Sequence, residues 1–125
     1  MENSNRKIAF RAWVKEKKIM VPISVLLFDN DRLCEILGNF LDGWGSSDTE
    51  SVELMQFTGL KDKNGKEIYE GDILLNEYVG GGEPYAVKIN PNWWYHEVEY
   101  GLIDDNNSHS FEVIGNIYEN PELIK

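Results

Sequence analysis

Few residues in this 125-residue chain are of types and at spacings that could carry chemistry. Glu97 and Glu99 share one face of a strand read from Trp93 to Ile103. That sets their carboxyls ~7 Å apart, a separation compatible with paired acid–base cleavage of a glycoside. Two glutamates on a solvent-facing strand more commonly form a charged face, and a chain of this size is small for a glycoside cleft. The two histidines, His96 and His109, would make a metal site only by converging with Glu97, Glu99, Asp104 or Glu112, and their spacing is not that of a ligand pair. Gly80-Gly81-Gly82 is followed by Glu83-Pro84, without the Lys-Ser/Thr pair or helix start that a phosphate cradle needs, so it reads as a hairpin loop. Asp62, Asn64 and Gly65 lack the acid spacing and twelfth-position glutamate of a calcium loop, and an Asn-Gly turn of type I′ accounts for them better. Cys34, the single cysteine, has no partner base and reads as a small core hydrophobe between Leu33 and Ile36. No catalytic, cofactor-binding or metal-binding residue is assigned, and no enzymatic activity is expected.

Aromatic residues offer a stronger signal. Trp93-Trp94-Tyr95, with Tyr100, places Trp on both faces of a strand, because neighbouring residues point to opposite sides. One Trp can enter the core while the other anchors a contact, since Trp and Tyr bury large area at low entropic cost; packing of both inward is the competing reading. Trp44, in a Gly/Ser/Asp-rich stretch, is a further contact candidate, against the commoner outcome in which a loop aromatic folds back onto a core. The candidate interaction surface is therefore Trp93, Trp94, Tyr95, Tyr100 and Trp44.

Net charge narrows the partners. The chain carries −10 overall, but residues 1–20 hold six basic and two acidic side chains and the remainder six basic and twenty acidic. An acidic body repels the phosphate backbone, so direct nucleic-acid binding is disfavoured. The field serves solubility, or else it imitates nucleic acid and occupies a basic site on another protein. The basic first segment facing this body is a possible contact within the chain or between subunits, one that salt would weaken. No apolar run approaches the ~20 residues of a membrane span, and the start of the chain lacks signal-peptide order, so a cytoplasmic protein is expected.

The elements that must position these residues are mostly strands. Alternation over Lys7–Trp13 puts Ile8, Phe10 and Ala12 on one face, and Ile19–Ser24 returns as a hairpin with Pro22 at an edge, since proline cannot donate to a ladder. Over residues 33–41 two periods compete: Leu33, Ile36, Leu37, Phe40 and Leu41 match a helical stripe, yet Asp29-Asn30-Asp31 equally suits a hairpin turn into a strand. Asp42–Ser51 reads as a flexible connection. Short strands and tight turns follow from Val52 onward, at a spacing that suits a small barrel. Asn120-Pro121-Glu122 marks a short C-terminal helical turn, with Asn as cap and Pro first. The reading is one compact domain: a β-rich lobe and linker over residues 1–50, then a barrel lobe over 51–125.

The segment Phe57-Thr58-Gly59-Leu60-Lys61-Asp62-Lys63-Asn64-Gly65-Lys66-Glu67-Ile68-Tyr69-Glu70-Gly71-Asp72-Ile73 resembles the central signature of the YopX family of phage and prophage proteins from Gram-positive bacteria. Phe10-Arg11-Ala12-Trp13 is similar to that family's opening motif, and the run Phe111 to Leu123 to its closing one. Val14 stands where the family usually has Asp, and residues 80–109 follow no family pattern. The resemblance implies a mainly β fold with an SH3-like small β-barrel in the C-terminal half, a phage origin and self-association as a homo-oligomer; it implies no activity and no site residues. The glycines at 59, 65, 71 and 115 have a structural account, as turns and bulges that need a permissive backbone. The functional expectation is a self-associating interaction module in the host cytoplasm that binds a host or phage protein. The alternatives are a small-molecule or nucleotide sequestering protein and an acidic nucleic-acid mimic that inhibits a host protein.

Overall fold

The computed structural model describes residues 7–40, 43–76, 83–90, 95–98, 101–104 and 107–124; for residues 89, 90, 95–97, 101 and 102 it describes the backbone alone. The chain is mainly β, and it divides into two compact units. One is Ile8–Gln56, and the other runs from Phe57 onward and includes Lys7. The passage between them falls inside a strand. Among the described residues no helix is long and apolar enough to cross a membrane.

The N-terminal unit contains β1 (Phe10–Val14), β2 (Ile19–Asp29), β3 (Arg32–Asn39), β4 (Trp44–Ser47) and the first half of β5 (Val52–Lys61). All are antiparallel, in the order β4-β3-β2-β1-β5. Ala12, Val14, Val21, Ile36, Phe40 and Val52 form its buried core, with Ile19, Ile23, Leu26, Leu33 and Leu54 packed around them. Ala12 is fully buried as the alternation requires, but Ile8, two residues before β1 begins, is 70% exposed. Residues 33–41 resolve as strand rather than helix through Asn39, because Asp29↔Arg32 closes a hairpin whose two turn residues, Asn30 and Asp31, take positive φ (53° and 67°). Asn and Asp tolerate that region, as the two-residue turns that match strand twist require. The Gly/Ser/Asp-rich stretch expected to be a flexible connection holds β4, which pairs with β3 over Trp44–Ser47.

Pro22 corrects the edge expectation in an informative way. β2 is an interior strand, yet it pairs with β1 through Ile19–Ile23 and with β3 only from Ile23 onward. Pro22 thus sits where the strand has one partner, and its missing N–H is not needed on the other side.

The second unit holds the rest of β5, then β6 (Glu67–Tyr69), β7 (Asp72–Leu75), β8 (Tyr85–Ala86), β9 (Lys88–Asn90), β10 (Tyr95–Val98), β11 (Gly101–Leu102) and β12 (Glu112–Asn116). β6 pairs with β5, and two three-stranded sheets run β11-β10-β9 and β12-β7-β8. Its core is Ile68, Leu74, Val87, Val98, Ile103 and Phe111. Among the described residues no sheet closes into a barrel, so the structure supports the mainly β reading and does not confirm the SH3-like barrel.

Asp62 organises this unit. It is 2% exposed, and its Oδ1 accepts the N–H groups of Asn64 (2.8 Å) and Lys66 (2.9 Å) while Oδ2 accepts that of Val113 (2.9 Å), tying the β5–β6 turn to β12. Burial is the largest single influence on this carboxyl and pushes its pKa up; the N–H groups of Val113, Lys66 and Asn64 and the Lys66 charge outweigh it and hold the pKa below the ordinary 3.8. The Asn64-Gly65 turn is therefore not type I′: only Gly65 of the pair takes positive φ (81°), and its N–H bonds the Asp62 carbonyl at 3.0 Å. Asp62 begins a turn capped by its own side chain, and Gly65 supplies the left-handed residue that ends it. The C-terminal helical turn is present as a single 3₁₀ turn over Pro121–Leu123, but Asn120 does not cap it. Its Oδ1 instead accepts the N–H of Asn116 at 3.2 Å.

Candidate functional site

The residues singled out for chemistry are not brought together. His96 lies in β10 opposite Ile89, whereas His109 is exposed in a 3₁₀ turn over Ser108–Ser110. Glu97 is in β10; Glu99 and Gly80–Gly82 lie outside the described residues. Among the described residues no three His, Cys, Asp or Glu side chains group so as to hold a metal ion. Of the aromatic candidates, Trp93, Trp94 and Tyr100 also lie outside the described residues, and Tyr95 pairs through its backbone with Asn90. Trp44 does not fold back onto a core: it is 62% exposed on β4, the outermost strand of its sheet.

A second apolar feature, not foreseen from the sequence, lies in the same unit. The ladder between β2 and β3 shifts register twice, first between Ile23 and Val25 and again between Leu27 and Phe28. Each shift is a bulge, with Ser24 the extra residue on β2 and Cys34 the extra residue on β3. Because side chains alternate with period two, one extra residue swaps the faces of everything after it. Val21 and Ile23 face the core; past Ser24 the core position passes to Leu26, and Val25 and Leu27 are turned outward at 37% and 41% exposure. Ile36 and Gly38 on β3 and Phe40 just after it are buried, and beyond Cys34 the inward position passes to Leu33. Cys34 is consequently exposed rather than in the core, its thiol donating to the Leu27 carbonyl at 3.3 Å.

Directly paired residues of an antiparallel ladder share a face. Val25 pairs with Leu37, and Asn39 with Trp44, so Val25, Leu27, Leu37 and Trp44 stand on the outward side of β2, β3 and β4. Phe28, opposite Leu33 next to the turn, is on the other side and overhangs the core at 61% exposure. Beyond Ile23 no described strand pairs with the outer edge of β2, and between Arg32 and Glu35 none pairs with the outer edge of β3. Ser24–Glu35 thus forms a two-stranded arm with both edges open and apolar residues on both faces. Isolated two-stranded ribbons are marginal in water, and open apolar edges invite strand pairing, so a feature of this kind normally has something to cover it.

At the opposite end of β2, the turn Lys15–Lys18 is basic, and beside it lies a recess of about 670 Å³ whose apolar lining is Val14 and Phe40. Lys15 bonds the Glu50 carbonyl at 2.9 Å and pairs with Glu53 at 3.3 Å. Lys17 donates to the Phe40 carbonyl at 2.9 Å. Asp48 on the rim accepts the Ser51 N–H at 2.9 Å; Ser51, through side chain and then backbone, is the chief cause of its lowered pKa. In the second unit Lys7 meets Glu67 at 2.7 Å, and that hydrogen bond raises its pKa. Basic residues of the first segment therefore engage acidic side chains within their own units.

Comparison with known proteins gives a lineage without an activity. The family model described as YopX protein matches residues 9–125. Protein EF1440 from Enterococcus faecalis is similar in structure, with a TM-score of 0.72, 28% identity, and coverage of 95% of this chain and 99% of that one. Protein yopX from Bacillus subtilis is similar at a TM-score of 0.60 and 21% identity, over 94% of this chain and 95% of that one, which is a likeness of fold. Among curated proteins none matches.

Proposed function

This chain belongs to the YopX family, and we propose that it is a self-associating protein-interaction module of phage or prophage origin, acting in the host cytoplasm and performing no catalysis. The observation that carries the reading is the open-edged β2–β3 arm with Val25, Leu27 and Phe28 exposed, joined on its outward face by Trp44. Contact surfaces draw their affinity from such clustered apolar and aromatic anchors. The acidic remainder of the chain favours a protein partner over nucleic acid.

The test is retention of a partner by the tagged protein in lysate of a Gram-positive host, compared between wild type and the outward-face variants Leu27→Asp and Trp44→Ser. Both positions are solvent-exposed, and the cost in folding stability should stay at about 1 kcal/mol, most of it at Leu27, where Asp would face Glu35 across the ladder. A stoichiometric protein held by the wild type and lost by both variants is the expected result. Equal retention by all three would place the contact elsewhere and remove this surface from consideration.

A further inference from the structure

We propose that Asn64 is a site of spontaneous deamidation held latent by the Asp62 clasp, and that its conversion releases the β5–β6 turn from β12. Asn64-Gly65 is the one Asn-Gly step in the sequence. Asparagine is a thermolabile residue, and a following glycine, with no Cβ, leaves the next backbone nitrogen unshielded. Lys63, Asn64 and Gly65 are all exposed, so water and base reach the step. No other reactant is needed. The Gly65 nitrogen gives up its proton to base and attacks Asn64 Cγ; the new N–Cγ bond closes a succinimide as the Cγ–Nδ2 bond breaks, and Nδ2 takes back a proton and leaves as ammonia. A water molecule then opens the ring. Attack at Cγ leaves an aspartyl residue in the original chain, whereas attack at the former backbone carbonyl carbon leaves an isoaspartyl linkage whose main chain runs through Cβ and Cγ and is longer by one carbon. Either way amide and water become carboxylate and ammonium, with no change of oxidation state.

The folded turn opposes this reaction through its backbone. The Gly65 N–H bonds the Asp62 carbonyl at 3.0 Å across a turn whose central residues, Lys63 and Asn64, both keep negative φ. That makes it type I, in which the second central residue holds ψ near ~0°. At that angle the Gly65 nitrogen lies roughly 120° around the Cα–C bond from Asn64 Cβ, so ring closure requires the whole peptide plane to swing through that arc. The swing would break the Gly65–Asp62 bond and pull the Lys66 N–H from Asp62 Oδ1, which holds it at 2.9 Å. Oδ1 also accepts the Asn64 N–H at 2.8 Å, so a carboxylate charge stands beside the nitrogen that must lose its proton and opposes that loss. From the other side β12 holds the turn: the Lys63 N–H donates to the Phe111 carbonyl at 2.9 Å, the Val113 N–H to Asp62 Oδ2 at 2.9 Å, and Lys63 Nζ meets Glu112 at 3.6 Å. Reaction therefore proceeds from the opened turn, at a rate set by how often the clasp opens. Conversion is one-way. The extra main-chain carbon of the isoaspartyl product displaces Gly65 and Lys66 from their acceptors on Asp62, and the aspartyl product sets a second carboxylate beside the first.

The experiment ages the full chain in mildly alkaline buffer, folded and in unfolding urea, and follows the Asn64-Gly65 step by peptide mapping and mass spectrometry for the wild type, Asp62→Asn and Asn64→Gln. The folded wild type should lose the Asn64 amide about tenfold or more slowly than the unfolded chain, and folded Asp62→Asn should lose it about tenfold or more faster than the folded wild type. Asn64→Gln, whose longer side chain disfavours the ring, should keep its amide in both states. Circular dichroism establishes that Asp62→Asn is folded; if it is not, urea added to the wild type below its midpoint takes its place, and the rate should rise with urea. The product, separated from its parent by its added negative charge, should unfold at a lower urea concentration. An unfolded chain that keeps its Asn64 amide overturns the site. Equal rates in the folded and unfolded wild type, or no acceleration in folded Asp62→Asn or in sub-denaturing urea, overturn the latch, and a product as resistant to urea as its parent overturns the release from β12.

Discussion

Asp62→Ala should lower the unfolding free energy by about 4 kcal/mol, a large share of the 5 to 15 kcal/mol typical of a domain. The side chain is 2% exposed and serves three backbone N–H groups, those of Asn64, Lys66 and Val113. Alanine removes all three acceptors at once. Asp62→Asn is the sharper probe, because an amide keeps one oxygen for the turn but sets an N–H₂ group against the Val113 N–H; a loss of about 2 kcal/mol is expected. Urea denaturation of the three proteins reads both values. The pH dependence has a definite sign. The folded pKa lies below the unfolded 3.8, so this carboxylate contributes its full stabilisation above that value and loses it as pH falls through 3.8 toward the folded pKa. Asp62→Asn should therefore show a shallower loss of stability below about pH 4 than the wild type. An identical acid profile in the two would mean that Asp62 does not titrate differently on folding.

Gly38→Ala is the second large effect, at about 2 kcal/mol or more. A Cβ at Gly38 would lie 2.9 Å from the Pro22 carbonyl oxygen and 3.5 Å from the Ile23 Cα, both backbone atoms at the point where the arm leaves the body of its sheet. Neither neighbour can rotate away, so β2 and β3 would have to part where the Ser24 bulge already bends them. Gly45, paired with Gly38 across the β3–β4 ladder, supplies the control. A Cβ there meets nothing within 4 Å, and Gly45→Ala should be neutral or should stabilise by up to about 1 kcal/mol through the unfolded chain. Thermal midpoints moving in the same direction for both variants would refute the steric account.

Particular residues show why part of this architecture was legible in the sequence and part was not. Gly59, Gly65 and Gly71 take positive φ, and Gly115 packs against Asn120 with no room for a Cβ, so the glycines of the family motif occupy positions where the backbone demands them. Local rules reach such features because each is set within a few residues. The bulges are different. A bulge swaps the faces of a strand without a composition signal, and Leu33, Ile36 and Phe40 acquired three- and four-residue spacings that imitate a helix. The same phase change concealed the arm. Strict alternation from Val21 and Ile23 assigns Val25 and Leu27 to the core, and the extra residue at Ser24 sends them outward. One clue was present: an apolar run from Ile19 to Phe28 broken by Pro22 and Ser24, longer than the partner strand that β1 provides. Cys34 was misplaced for the same reason, and Trp44 was flagged through its polar surroundings but not as part of a face shared with Val25, Leu27 and Leu37.

The Asp62–Val113 hydrogen bond joins residues 51 apart in the chain, and that separation acquires a meaning in time during synthesis. Every strand of the N-terminal unit has left the ribosome once Gln56 has emerged. At a translation rate of about 5 to 20 residues per second, Asp62 then waits roughly 3 to 10 s for Val113. Through that interval the first unit can fold while the second still lacks the acceptor contact that locks its turn to β12. Nascent chains on neighbouring ribosomes of one message would then carry completed arms before either protein is finished.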